Sequence, residues 1–328
     1  MNKHRITRRR FSTGGAAAAT ALALPQIARA QAYPNHPVRF ILPFAAGGVA
    51  DVTARLAADK LGEKLGQRFV VENQPGPGGI VAGRLIASAA PDGYTIGLLT
   101  NGTAISAAIY KSLPYDAVKD FAPISALGNF ELVFATHAGS QYKSMADVLK
   151  AAREQPGKLN IGTIAVGSTQ HLGAELLKAQ ANVNIQIVPF RTTPDVIVGL
   201  LRDDIHLMTD FYAAMKAQLT EQKLRGVGTS SLTRTAFLPD VPPVADVVPG
   251  YEVTSWNGVC APTGTPAEIV NLLNRTLRDI LVIPEVRSKY GDFGIEAKAS
   301  SPEELKARLI ADIKKWSDLI EKAGIAKL

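Results

Sequence analysis

The chain has 328 residues, of which 46% are hydrophobic, and it carries 36 lysines and arginines against 29 aspartates and glutamates. A length of this order suits two domains, each able to bury its own core. Residues 1–30 contain six of the basic residues and no acid, so the remainder has a net charge of +1, which excludes the strongly basic surface of a nucleic-acid-binding protein.

An export signal is predicted at the start of the chain. Arg8-Arg9-Arg10 precedes an apolar run from Gly14 to Ile27, which is followed by a small-x-small site at Ala28-Arg29-Ala30. This order is typical of a twin-arginine signal, and the apolar run is too short to span a bilayer. We therefore expect cleavage near Ala30 and a soluble periplasmic protein that begins at Gln31, which carries no lipid.

Strand-like and helical patterns alternate from there onward. Strands are predicted at 38–42, 68–72 and 95–99, with helices at 50–65 and 79–90 between them. This alternation predicts a parallel sheet with helices on its faces.

A second α/β unit of the same style follows, and the chain ends in helices. Its strands are predicted at 132–135, 159–162, 185–188, 205–208 and 224–227, and its helices at 144–155 and 169–181. Near the end of the chain, Thr265-Pro266-Ala267-Glu268 and Ser301-Pro302-Glu303-Glu304 are both predicted to be capping boxes with proline at the first helical position.

The single cysteine, Cys260, lies in an apolar stretch. An oxidising compartment favours chains with paired cysteines or almost none. Because no base is adjacent to Cys260 in sequence, we expect a small buried hydrophobic residue rather than a nucleophile.

The most informative local pattern is Pro43–Asp51, which follows a strand, contains Gly47-Gly48 and opens a helix. Ligands of open α/β sheets bind at the carboxyl ends of strands, and the unpaired amides of a helix start suit a carboxylate or phosphate. A plain tight turn is the alternative. No Gly-Lys-Ser/Thr follows, so this is not a phosphate loop.

Two further segments follow predicted strands in the same way. One is the glycine-rich run Asn73–Gly79, and the other is the loop Thr100-Asn101-Gly102-Thr103. The three loops would lie side by side along one edge of the first sheet, which indicates a cleft there.

In the second unit, Gly167-Ser168-Thr169 precedes a helix that contains His171. We interpret Ser168 as the N-cap of that helix, because the nucleophile-elbow spacing of a hydrolase is missing. The histidines show no metal-ligand spacing either, so no metal site is predicted.

Ordered motifs run through the whole chain after residue 30. They are Pro43–Asp51 with Arg55, Val71-Glu72-Asn73, Pro91–Thr95, Leu113–Asp116, Lys119–Ile124, Pro156–Asn160, Gly167-Ser168 with His171, Leu238–Pro242, and Trp256 followed by Ala261–Pro266. In this order they resemble the extracytoplasmic solute receptors of tripartite tricarboxylate transporters, the Bug family.

The resemblance implies a two-domain α/β periplasmic binding protein, a Venus flytrap of type II-like design with two crossover segments near 129–136 and 252–262. Domain 1 would comprise 31–131 plus 257–328, and domain 2 would comprise 132–256. It also implies a monomer that needs no cofactor, has no catalytic activity and delivers a small carboxylate, aromatic or dicarboxylic, to a membrane permease. A sensory co-receptor and a hydrolase using Ser168 are the alternatives.

The same resemblance assigns the ligand loops. They are Phe44, Ala45, Gly47, Gly48 and Asp51 of the first domain, facing Gly167, Ser168 and Thr169 of the second. Asn101 is added to the predicted site from the third loop, which would lie on the same edge of the first sheet. Asp51 is expected to cap its helix, because it would repel an anionic ligand. Asp210 matches an acidic position near the floor of the family's cleft, where it accepts a ligand amine or caps a turn.

One departure from the family pattern is Val188-Pro189-Phe190-Arg191-Thr192, where Val-Pro-Tyr-Lys-Gly is common. Arg191 has the planar fork that binds a distal carboxylate, and a solvated arginine at a loop tip is the alternative. Aromatic walls are expected from Phe44, Phe190, Phe211, Tyr212 and Trp256, unless these rings belong to the core.

Overall fold

The computed structural model describes residues 33–328, so the export signal predicted at residues 1–30 lies outside the described residues. The strands in this range are β1 (Val38–Leu42), β2 (Phe69–Asn73), β3 (Thr95–Thr100), β4 (Phe121–His137), β5 (Asn160–Ile164), β6 (Gln186–Phe190), β7 (Leu207–Phe211), β8 (Leu224–Thr229), β9 (Thr254–Pro262) and β10 (Glu296–Ala297). The α-helices are α1 (Val49–Leu65), α2 (Ile80–Ala87), α3 (Asn101–Ile109), α4 (Met145–Glu154), α5 (Thr169–Ala181), α6 (Thr193–Leu201), α7 (Tyr212–Thr220), α8 (Ala267–Leu281), α9 (Pro284–Gly291) and α10 (Pro302–Lys322).

The first lobe is built on the strand order β2-β1-β3-β9-β4. As the sequence predicts, β1 is parallel to β2 and β3. The sheet is nevertheless mixed, because β9 arrives from far along the chain and pairs antiparallel with both β3 and β4. The α/β architecture is confirmed, and the wholly parallel sheet expected for this unit is wrong.

A single strand runs through both lobes. Residues 121–131 of β4 pair with β9 in the first sheet, and residues 132–137 pair with β7 and β8 in the second. The sequence predicts only the second part, because Pro123 and the register shifts at Ser125 and Gly128 interrupt the strand pattern of the first. The lobes are thus joined through continuous backbone hydrogen bonding.

The second lobe contains β5, which is parallel to both β6 and β7. Helix α5 lies between β5 and β6 in the chain, and it begins and ends where the helix is predicted, at residues 169 and 181. Helices α3, α6, α7 and α9 are missing from the sequence-based assignment. The loop predicted at residues 100–103 is therefore wrong, because Asn101 is the first residue of α3 and Thr100 and Thr103 form a reciprocal capping box.

The two predicted capping boxes near the C-terminus have different outcomes. Ser301 accepts a hydrogen bond from the Glu304 amide and the Glu304 carboxylate accepts one from the Ser301 amide, which confirms the second box. The first box is wrong. Helix α8 begins at Ala267 with Pro266 as its N-cap, and the Thr265 hydroxyl instead donates to the Pro262 carbonyl at 2.8 Å.

Helix α10 packs against the joint between the lobes. Its Arg308 donates to the Asn129 side chain on β4 at 2.6 Å and lies over the Trp256 ring on β9 at 5.4 Å. Glu131, two residues after Asn129, is largely buried here. Burial, together with the nearby carboxylate of Glu296, raises the pKa of Glu131 to about 7.

None of the helices among residues 33–328 has the combination of length and apolar character that crossing a membrane requires. Cys260 is buried, as predicted. Burial raises the pKa of its thiol to about 12, so it stays protonated at neutral pH.

Candidate functional site

A cavity of about 650 Å³ lies between the lobes. Residues of the first lobe that line it include Phe44, Gly48 and Gly102, and residues of the second lobe include Gly167 and Thr169. The glycine-rich turn Gly76–Gly79 also lines it. All three sequence segments that follow strands β1, β2 and β3 therefore reach the same cavity.

The start of α1 presents unused amide donors to this cavity. Gly47 adopts φ +89°, a left-handed conformation that glycine tolerates best, and Gly48 is the extended N-cap of α1. The amides of Gly48, Val49 and Ala50 have no hydrogen-bond partner among residues 33–328, and all three residues line the cavity. A helix start with free amides attracts a negative charge.

Asp51 stabilises this loop but does not line the cavity. Its carboxylate accepts hydrogen bonds from the Gly47 amide, from Arg55 Nε and from Asn73 Nδ2, each at 2.9 Å. Burial alone would raise the pKa of Asp51, but these hydrogen bonds and the charge of Arg55 keep it below its usual value. The carboxylate of Asp51 is thus ionised, and its oxygens already accept hydrogen bonds from three protein groups.

Asn73, the last residue of β2, ties together the two ends of the same loop. Its side-chain Nδ2 donates to the Phe44 carbonyl and to Asp51, both at 2.9 Å, and its oxygen accepts from Arg55 at 2.8 Å. The sequence motif that contains Asn73 belongs to the resemblance, but the predicted site omitted this residue. Its role is to position the loop.

The start of α5 is the counterpart in the second lobe. Gly167 adopts φ +80°, and a β-carbon at this residue would lie 3.1 Å from Ile109 Cδ1 on α3 of the first lobe. The amides of Thr169 and Gln170 have no hydrogen-bond partner among residues 33–328, and both residues line the cavity. Two helix starts, one from each lobe, therefore offer free amides to one cavity.

Ser168 is the N-cap of α5, as predicted. Its oxygen accepts a hydrogen bond from the His171 amide at 3.1 Å, and its hydroxyl donates to the Ile164 carbonyl at 3.3 Å. The His171 ring contributes nothing to Ser168, and its buried Nδ1 has no partner in the described structure. Within residues 33–328 the Ser168 hydroxyl donates to a backbone carbonyl and not to a general base, so the geometry gives no support to a serine nucleophile.

Asn101 and Thr169 join the lobes beside the cavity. The Asn101 side-chain amide donates to Thr169 Oγ1 at 2.9 Å, and the Asn101 oxygen accepts from Trp316 Nε1 on α10, also at 2.9 Å. Asn101 is only 1% exposed and does not itself line the cavity. Its contribution is to hold Thr169, which does line the cavity.

Asp210 lies beneath the second loop and is fully buried. Its oxygens accept hydrogen bonds from Gln170 Nε2 and the Phe211 amide, both at 2.7 Å, and from the Thr193 hydroxyl. Burial raises the pKa of Asp210, and these three hydrogen bonds oppose that shift only in part. Asp210 does not line the cavity, so it orients Gln170 rather than meeting a ligand directly.

The remaining predicted residues lie away from the cavity. Arg191, just after β6, and Ala45 are both exposed, and neither lines the cavity. Among the expected aromatic walls, only Phe44 and Phe211 line it, and Phe190, Tyr212 and Trp256 do not.

Several lining residues were missed by the sequence reasoning. Ser255 and Asn257 of β9 supply polar groups, and Phe130 of β4 meets Phe211 edge-on with ring centroids 4.8 Å apart. These residues are distant in sequence from every glycine-rich loop, so no local signal identifies them. Among the described residues, the cavity lining contains no charged side chain, and no acidic, histidine or cysteine cluster could hold a metal ion.

The comparison with protein families gives a match over most of the chain. The family described as "Tripartite tricarboxylate transporter family receptor" matches residues 53–325. A relative from Pseudomonas sp. (strain P51), the "UPF0065 protein in tcbD-tcbE intergenic region", is 34% identical over 317 residues, which cover 96% of this chain and 94% of the relative.

Solved structures show the same fold. "R. palustris Rpa4515 with adipate" is 34% identical with a TM-score of 0.81, and the match covers 90% of this chain and 100% of that chain. The structure of periplasmic binding protein BugD is 30% identical with a TM-score of 0.78 at the same coverage. These matches confirm the predicted resemblance and the two-domain binding-protein fold.

Proposed function

The chain belongs to the tripartite tricarboxylate transporter receptor family, and on that premise we propose that it is a periplasmic receptor that captures a small carboxylate between its lobes. The observation that carries the proposal is the pair of helix starts that offer free amides to one cavity. Hydrogen bonds to an ionised acceptor contribute about 1.5–3 kcal/mol each, so a few of them hold an acid without a salt bridge.

The binding site combines predicted residues with residues that the structure adds. Phe44, Gly48, Gly167, Ser168 and Thr169 contact the ligand in this proposal. Gln170, Ser255 and Asn257 join them as polar groups of the lining. Four other predicted residues do not contact the ligand in this proposal but position the loops and side chains that line the cavity. They are Gly47, Asp51, Asn101 and Asp210.

Capture is completed by closure of the lobes about strand β4 and the segment that leads into β9, where the chain passes between the lobes. The lobes meet through the Asn101–Thr169 hydrogen bond on one side, and through a bond from Lys216 Nζ to the Asp292 carbonyl at 2.8 Å on another. Closure removes water from the bound anion and strengthens its hydrogen bonds. The ligand shifts the equilibrium toward the closed form only by the difference between its affinities for the closed and open forms.

The predicted twin-arginine signal, the name of the related periplasmic protein BugD and the family description support export to the periplasm and delivery to a membrane permease of the tripartite type. We expect the receptor to work as a monomer, and we keep the domain division at 131/132 and 256/257 that the family resemblance implies as a prediction. No residue of the cavity is assigned a catalytic role.

The test compares matched charged and neutral compounds. Thermal unfolding of the purified mature protein is followed with benzoate and benzamide, and with hexanoate and hexanamide, at pH 7.5. We expect only the carboxylates to raise Tm, because a ligand that binds the native state stabilises it in proportion to the logarithm of its excess over Kd. Equal shifts with the neutral amides would contradict anion capture by the amides. Mass spectrometry of compounds released from protein purified from its native periplasm then identifies the physiological ligand.

A further inference from the structure

Two side-chain amides line the cavity, one from each lobe. Gln170 is the second residue of α5 in the second lobe, and Asn257 lies on β9 in the first sheet, where it pairs with Thr100 of β3. A side-chain amide has a nitrogen that donates and an oxygen that accepts. The contacts behind each residue decide which of these two ends is left for a ligand.

The nitrogen of Gln170 is held by Asp210. Gln170 Nε2 lies 2.7 Å from Asp210 Oδ1, and the same oxygen accepts a hydrogen bond from the backbone amide of Phe211, also at 2.7 Å. An oxygen that accepts from a backbone N–H is acting as an acceptor, so Gln170 must supply the proton through its NH2 group. Turning the amide over would place two acceptor oxygens against each other. The Oε1 atom of Gln170 is therefore the end that is left free.

The nitrogen of Asn257 is held in the same way by Thr53 on α1. The Thr53 hydroxyl donates to the carbonyls of Val49 and Ala50 within the helix, at 2.9 and 3.0 Å. Because its one proton is directed to these carbonyls, Thr53 Oγ1 can only accept from Asn257, whose Nδ2 lies 3.0 Å away. The Oδ1 atom of Asn257 is thus also left as a free acceptor.

Both oxygens can be reached from the cavity. In the part of the chain that the structure describes, neither Gln170 Oε1 nor Asn257 Oδ1 has a hydrogen-bond partner, yet neither atom is sealed from solvent. The two residues are only 5% and 2% exposed, and both line the cavity, so their accessible oxygens open onto the cavity rather than the outer surface. The backbone amide of Gln170 is itself one of the free donors described above. Acceptors therefore accompany the amide donors in one site.

Resting on the proposed capture of a carboxylate, we propose that Gln170 and Asn257 select acids that also carry a hydrogen-bond donor, either a hydroxyl or an ammonium group. The free amides bind the carboxylate, and the two side-chain oxygens accept from the donor. An acid without a donor displaces water from these oxygens and leaves them unpaired, which is unfavourable. Such an acid still binds through its carboxylate, but more weakly. A site that forms hydrogen bonds to a polar group discriminates strongly against analogues that lack it.

Two series of acids test this selection, each with a parent acid and the derivatives that bear a hydroxyl or an amino group on carbon 2. One series is butyrate, 2-hydroxybutyrate and 2-aminobutyrate, and the other is succinate, malate and aspartate. Isothermal titration of the mature protein at pH 7.5 measures Kd for all six. In at least one series we expect a derivative to bind at least about fivefold more tightly than its parent, and that derivative identifies the donor as hydroxyl or ammonium.

The failures of the two proposals are distinguishable. A smaller ratio in both series would overturn the selection for a donor and leave carboxylate capture intact. No binding by any of the six acids would contradict carboxylate capture together with the selection that rests on it.

Two variants assign the selection to its residues. Gln170→Met and Asn257→Leu each remove the acceptor oxygen and keep a side chain of similar size. We expect at least one of them to lower the ratio of derivative to parent affinity about fivefold, while Kd for the parent acid changes less. Gln186→Met is the matched control and keeps the wild-type ratio, because Gln186 is exposed and donates to the Gly157 carbonyl outside the cavity.

The ratio separates recognition of the donor from a purely structural role, which would weaken parent and derivative equally. An unchanged ratio in both Gln170→Met and Asn257→Leu, in protein with a native circular dichroism spectrum, would contradict the assignment to these residues. Should neither variant fold, the wild-type ratios decide whether the site selects for a donor.

Discussion

The side chain of Asn101 in the first lobe donates a hydrogen bond of 2.9 Å to Thr169 in the second, and both residues stand at helix starts. The bond is buried, and its donor is held in place by Trp316. One contact between the lobes therefore also positions Thr169, a residue that lines the cavity.

Removing the acceptor of this bond should weaken ligand binding. We expect Thr169→Val to raise Kd about 5- to 10-fold, since the proposed closed form loses one buried hydrogen bond between the lobes, which contributes about 1 kcal/mol. Thr276→Val is the control, because Thr276 bonds the Leu272 carbonyl within α8, far from the contact between the lobes. Titration calorimetry with a carboxylate ligand measures both. Equal Kd values in the two variants would show that the bond makes no contribution to closure.

Asn73 is expected to control affinity without touching the ligand. Asn73→Ala removes the donor to the Phe44 carbonyl and to Asp51, so the first loop loses the group that joins its ends. We expect Kd to rise at least tenfold while unfolding free energy falls by about 1–2 kcal/mol. The neighbouring variant Arg39→Ala breaks only an exposed ion pair with Glu72 and should change neither quantity appreciably. Comparable losses of affinity in both would mean that the loop is held by other contacts.

Two glycines at opposite ends of α1 separate a binding effect from a stability effect. Gly47 and Gly66 have φ angles of +89° and +75°, and a β-carbon at either would meet no atom within 4 Å. Alanine at either position therefore costs about 1–2 kcal/mol of backbone strain. Only Gly47→Ala should also raise Kd, because it alone shifts the amides at the helix start. Chemical denaturation and calorimetry measure the two effects, and a Gly66→Ala variant with equally weakened binding would argue against this assignment.

Glu131 should make stability depend on pH. Its pKa is raised to about 7 in the folded protein, so the stability that its protonated form contributes is complete below about pH 4.5 and is lost as the pH rises through 7. We expect Glu131→Gln to match the wild type near pH 4 and to exceed its unfolding free energy at pH 8 by up to about 3 kcal/mol. Urea unfolding at both pH values measures the difference.

The exposed variant Glu154→Gln on α4 is the control for Glu131 and should track the wild type at both pH values. A Glu131→Gln curve parallel to the wild type would mean that the carboxylate is better solvated than its burial indicates.

The sequence was most informative where local rules decide the structure. A buried strand, Gly47-Gly48 and a helical pattern correctly located the start of α1, and Ser168 correctly marked the start of α5. Both features depend on a few consecutive residues, which are the range over which capping and backbone preferences act. The export signal and the domain boundaries stay predictions.

Residues brought in by long-range pairing could not be found in this way. Asn257 enters the site because β9 pairs with β3, some 160 residues earlier in the chain. Asn101 was assigned to a loop, since the box that begins α3 uses Thr103 where the familiar pattern has glutamate or glutamine. Arg191 had the right chemistry for a carboxylate, but the fold leaves it exposed to solvent.

The position of β9 between β3 and β4 governs the order in which the protein can be assembled. A nascent chain that ends before residue 254 contains β1, β2 and β3 but lacks the strand that covers the β3 edge. All six residues of β3 are buried in the complete protein, so a truncated chain exposes an apolar edge strand of the kind that recruits other chains into aggregates. Premature termination anywhere in the second lobe therefore yields an aggregation-prone fragment rather than a working half of the receptor.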